Sequence, residues 1–173
     1  MSPQNRADPP SRVAPEPPPR RFNLARYCLG PDPLRPAERV GLVVIHGADE
    51  QAAGAEGDER WTFGELDRAV RQVGAGLLAS GLRPGDRVVL RLGNTSDSAL
   101  LFFGAAAVGL VAVPTSSLLT ADEVAVLVAD CRPALVAATS ELAAGVPAGV
   151  PVVGPDAVAA WRARLEPAAY ADT

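Results

Sequence analysis

Few side chains in this 173-residue sequence can do chemistry, and their types limit which chemistry it is. Every one of the 16 basic residues is arginine, so a mechanism built on a lysine ammonium or a lysine Schiff base is excluded. The one histidine, His46, closes an apolar run and could give or take a proton near neutral pH, but the sequence places no partner beside it. Cys28 and Cys131 lie far apart and, with a single histidine, supply too few soft ligands for a zinc site; they read as small buried apolar residues. Asp122 and Glu123 are adjacent carboxylates three residues after Thr120, the spacing of a capping box. Gly74, Gly76 and Ala79 fit a loose G-x-G-x-x-A pattern, which binds a dinucleotide only at a strand-to-helix turn. Thr115-Ser116-Ser117 lie just beyond a predicted buried strand, where α/β sheets place ligands. Their hydroxyls could face a substrate tunnel or could satisfy backbone groups of their own loop.

The elements that must position these residues follow from periodicity and punctuation. Residues 1–21 hold seven prolines and no apolar period, and read as a disordered, Pro/Arg-rich leader. Order is expected over 22–173, opening with a short helix through Cys28. The run 40–45 predicts a buried strand, and the acidic, Gly/Ala-rich stretch 47–59 an exposed loop. Thr62 and Glu65 repeat the capping-box spacing, and Leu66, Ala69, Val70, Val73 and Leu77 recur at threes and fours, so a helix with one buried face starts there and stops at Gly81. The glycine pattern falls inside that helix, where small residues serve close packing. Pro84-Gly85 predicts a turn with positive φ at Gly85.

Strands are then expected over 88–92, 110–113 and 134–138, with a weaker one at 151–154. Helices are expected over 97–108, from Thr120 to 130, and over 156–165. Continuous apolar strands alternating with helices imply an α/β fold, a mostly parallel sheet with helices on both faces.

Composition narrows the partners. The first 35 residues carry six Arg against three acids, a net +3; the remainder carries ten Arg against seventeen acids, a net −7. An acidic body argues against nucleic acid. The longest apolar run, 99–113, contains two glycines and falls short of the roughly 20 residues that span a bilayer. No hydrophobic signal segment follows Met1, so a cytoplasmic protein is expected.

Taken in order, Trp61-Thr62-Phe63-Gly64-Glu65-Leu66, Gly81-Leu82-Arg83-Pro84-Gly85-Asp86-Arg87-Val88, Gly93-Asn94, the small-residue helix and strand of 105–114, and Thr120-Ala121-Asp122-Glu123 resemble the opening of the adenylate-forming superfamily, from Phe22 to about Ala138. Phe22-Asn23-Leu24-Ala25 and Val113-Pro114-Thr115-Ser116-Ser117 look most like its benzoate-type acid–CoA ligase branch. The resemblance implies a two-step ligase: a carboxylate attacks the α-phosphate of Mg-ATP, and the thiol of coenzyme A then displaces AMP. It also implies a Ser/Thr/Gly-rich phosphate loop with a lysine, adenine and ribose motifs, and a catalytic lysine, all further along than Thr173. The expectation is therefore an incomplete N-terminal subdomain, truncated before the phosphate loop and inactive by itself. It would carry no catalytic residue, no metal ligand and no bound cofactor of its own. Its partners would be the downstream part of the same enzyme, a carboxylic acid and CoA. The alternative is a non-catalytic α/β module that binds a partner protein or small ligand. The in-frame DNA beyond codon 173 separates the two.

Overall fold

A computed structural model describes residues 19–47 and 57–172. The leader expectation falls almost wholly on residues 1–18, and most of the 47–59 loop on 48–56; both lie outside the described residues. In chain order the elements are α1 (Leu24–Leu29), β1 (Val40–Val44), β2 (Glu59–Thr62), α2 (Phe63–Ala79), β3 (Arg87–Arg91), α3 (Ser96–Ala107), β4 (Val111–Pro114), α4 (Ala121–Cys131), β5 (Leu135–Ala138), β6 (Val152–Val153) and α5 (Pro155–Arg164).

Strands β4-β3-β5-β6 form one parallel sheet in that order. Side chains of β3 and β5 alternate between two cores, because successive residues of a strand point to opposite faces. Val88, Leu90, Leu135 and Ala137 enter the larger core with α1, α2, α3 and α5. Val89, Val136 and Ala138 meet Val124 and Val128 of α4 on the other face. Helices thus cover both faces.

Local chemistry explains where the helices start and stop. Thr62 and Thr120 each accept the backbone N–H three residues on, and Glu65 and Glu123 return the bond to the cap backbone, so both capping boxes form. Thr95 caps α3 in the same way through Ser98 N–H. Gly85 has φ +91° in the turn that leads into β3, closed by Asp86 N–H on the Arg83 carbonyl at 2.9 Å. Gly74 lies mid-helix, and a Cβ there would come within 2.8 Å of Val108 Cγ1. A Cβ at Gly76 would overlap the Trp161 indole. These two glycines let α3 and α5 approach α2.

Two expectations are corrected. The 40–45 strand is not buried: Val40 is 46 % and Ile45 76 % exposed. It pairs antiparallel with β2 in a separate two-stranded ribbon, with only one face toward the core. A continuous apolar run specifies a strand but not how many faces are covered. The second correction is β2 itself, a strand in the stretch read as loop and helix start. Its last residue, Thr62, is also the cap of α2, so strand and helix share a junction with no turn residues between them.

Candidate functional site

The three parallel strands β3, β4 and β5 end at Arg91, Pro114 and Ala138, and the loops beyond them form the carboxyl edge of the sheet. Thr115 continues the ladder by one residue: its N–H and its hydroxyl both donate to the Leu90 carbonyl, at 3.0 and 3.1 Å. The Ser116 hydroxyl accepts Leu118 N–H at 3.1 Å and shapes its own loop. Ser117 is exposed at the loop tip.

Beneath this loop sits Arg91, 3 % exposed. Its Nη1 donates to the Ser116 carbonyl and Nη2 to the Leu119 carbonyl, both at 2.6 Å, and Nε donates to the Leu142 carbonyl at 2.7 Å. One guanidinium therefore ties the loop after β4 to the loop after β5. These are charge-assisted bonds to backbone acceptors. Arg91 was the residue the sequence did not single out. The available signal was an arginine closing the apolar run Val88-Val89-Leu90 in a strand buried on both faces.

A second polar cluster joins β1, β2 and the start of α3. His46 Nε2 lies 3.2 Å from Glu59 Oε1, and the Trp61 indole N–H donates to Glu59 Oε2 at 3.0 Å. Burial pushes the Glu59 carboxyl up, but hydrogen bonds from Ser96, Trp61 and His46 outweigh it and hold the group below the usual glutamate value. Asp97, next to Ser96, is held above the usual aspartate value, chiefly by burial; the charge of Arg162 works against this and that of Glu59 adds to it. His46 thus has the partner the sequence could not show, because Glu59 reaches it across the ribbon, where Val44 pairs with Glu59. The contact with Glu59 orients the imidazole.

The remaining candidates stay apart from both clusters. Asp122 and Glu123 lie in the first turn of α4, with Glu123 engaged in the capping box. Cys28 and Cys131 are free and half-buried, and burial is the main influence raising the Cys131 thiol. Among the described residues no group of three His, Cys, Asp or Glu could hold a metal ion. The carboxyl edge offers neutral hydroxyls and an arginine whose nitrogens are engaged by carbonyls. The residues present there do not fit a magnesium triphosphate.

The sequence profile of the AMP-binding enzyme family matches residues 41–167, well over half of the chain. The chain belongs to the AMP-binding enzyme family. Among curated relatives, the 4-hydroxybenzoate–CoA/benzoate–CoA ligase of Rhodopseudomonas palustris is 36 % identical over 98 residues, 57 % of this chain and 18 % of that protein. The long-chain-fatty-acid–CoA ligase FadD13 of Mycobacterium tuberculosis is 37 % identical over 73 residues, 42 % of this chain and 14 % of that protein. The chain thus spans less than a fifth of the length of these two relatives. Among solved structures, a benzoate CoA ligase from Burkholderia xenovorans LB400 superposes with a TM-score of 0.68 at 24 % identity, over 87 % of this chain and 30 % of that one. At that identity the likeness shows a shared fold, and the matched fold is the parallel α/β unit described above.

Proposed function

We propose that this chain is the opening α/β portion of an ATP-dependent acid–CoA ligase, which converts a carboxylate, ATP and CoA into acyl-CoA, AMP and pyrophosphate. The observation that carries the reading is the family match over 41–167, joined to two CoA ligases among the relatives. Residues 22–173 form the structural opening of the domain, and residues 1–21 its leader. Thr115, Ser116 and Ser117 form the rim past which the acid approaches, held in place by Arg91 from below. ATP, magnesium and CoA belong to the complete enzyme and are bound with the downstream part of it as partner. The catalytic residues belong to the downstream part of the enzyme. The enzyme works in the cytoplasm, without nucleic acid or membrane. In support of the last point, no helix among the described residues is long and apolar enough to cross a membrane.

Acid-dependent ATP–pyrophosphate exchange tests this. The 173-residue chain alone should give none. The chain extended in frame through a Ser/Thr/Gly-rich loop bearing a lysine should give exchange with benzoate-like or medium-chain acids. Turnover by the 173 residues alone, surviving repurification, would overturn the reading. So would a coding sequence with no such loop downstream.

A further inference from the structure

We propose that the cleft between β2, α2 and α5 binds a small molecule bearing two or more oxyanion charges, a diphosphate or a polycarboxylate, through Arg60, Arg68 and Arg162. The cleft has a volume of about 540 Å³, within the range of small-molecule pockets. Each arginine comes from a different element, and all three line one space. Among the described residues no carboxylate lies within 4.0 Å of any of the three. The one acid lining the cleft, Glu65, has its Oε2 engaged by the backbone N–H and the hydroxyl of Thr62, both at 2.8 Å. Residues 36–173 carry a net −7, whereas three arginines and a single acid line this cleft, a local charge opposite in sign to that of the surrounding body.

The geometry suits an oxyanion. A guanidinium presents a planar fork of donors that matches carboxylate and phosphate oxygens. The Arg162 guanidinium rests over the Trp61 ring, 4.6 Å from its centroid. The indole is itself fixed by its bond to Glu59. A donor already held in place gives up less freedom when a ligand arrives. Between the cations the walls are Ala69, Ala159 and Ala163, whose short side chains leave the space open. No residue of the Thr115–Ser117 loop lines the cleft, so the site stands independently of the ligase reading.

Calorimetric titration of the full 173-residue chain with sodium pyrophosphate and with citrate tests the site. Saturable binding of at least one is expected at about 50 mM NaCl, weakening severalfold at about 300 mM as the charges are screened. The tighter of the two identifies the oxyanion as phosphate or carboxylate. An Arg60→Gln/Arg68→Gln double variant should lose at least about tenfold in affinity while melting at the same temperature without ligand. Arg83→Gln, in the turn before β3, should bind as the unaltered chain does. Two results would overturn the proposal: no binding of either anion at about 10 mM, or equal affinity in the double variant. Neither result bears on acid-dependent exchange.

Discussion

At the scale of single residues, Arg91 separates what a side chain's type suggests from what its surroundings make of it. Its charge is met by three carbonyls that lie 25, 28 and 51 positions away in the chain. Removing it leaves the Leu119 and Leu142 carbonyls without their donor and the Ser116 carbonyl with only the long Leu119 N–H bond, 3.4 Å. Arg91→Met keeps most of the apolar stem and should cost about 2–3 kcal/mol, roughly 1 kcal/mol for each lost bond. Urea melts would measure this; a loss below about 0.5 kcal/mol would mean water replaces the guanidinium at no cost. The site was legible in part. The Thr115–Ser117 loop was placed beyond a parallel strand by the alternation of elements alone. Neither Arg91 nor the His46–Glu59 pair could be found that way, because backbone carbonyls leave no trace in residue types and cross-strand partners have no fixed spacing.

At the scale of elements, the parallel unit was readable because each helix carries its own start signal. Thr62, Thr95 and Thr120 all act as caps, and Gly85 supplies the left-handed turn. The ribbon of β1 and β2 was misread because burial is a property of the neighbours and not of the run itself. Thr62→Ala and Thr120→Ala should each cost about 1 kcal/mol by denaturant melting. The two boxes also make stability depend on acid. Bonds from Thr62 to Glu65 and from Thr120 to Glu123, backbone first and hydroxyl second, hold both carboxyls below the usual glutamate value. A lowered pKa means the unfolded chain takes up its protons first as pH falls. Their stabilisation is therefore complete above the ordinary glutamate range and is lost as pH drops through it to the lower folded values. The doubly alanine-substituted chain should show a shallower fall of stability over that acid window, and an unchanged slope would contradict the assignment.

At the scale of the molecule, the segment 165–172 runs back across α2 and α3 and fastens them. Gln72 donates to the Leu165 carbonyl at 2.9 Å, Ala168 N–H to the Arg71 carbonyl at 3.0 Å, and Ala171 N–H to the Ala107 carbonyl at 2.7 Å. The Tyr170 hydroxyl donates to Asp67 Oδ1 at 2.5 Å, and Arg71 holds the other carboxylate oxygen at 2.8 Å. Burial foremost, then the bond to Asp67 and its charge, push the Tyr170 phenol well above the ordinary tyrosine value. The unfolded chain therefore loses this proton first as pH rises, so the contribution is complete below about pH 10 and declines above it. Tyr170→Phe should cost about 1–2 kcal/mol at neutral pH, and the gap should narrow in melts at higher pH. A gap constant with pH would mean the hydroxyl bond is not what fastens the segment. At the far end of this segment, Arg21 Nη1 meets Asp172 Oδ2 at 2.5 Å, and Asn23 Nδ2 reaches the Ala106, Ala107 and Ala171 carbonyls at 3.0–3.1 Å. Positions 21 and 172 are thereby neighbours in space although 151 residues separate them in the chain. Topologically the fold is a nearly closed ring with its two strands of backbone emerging at one corner. Any chain joined at either position therefore starts from the same place on the surface.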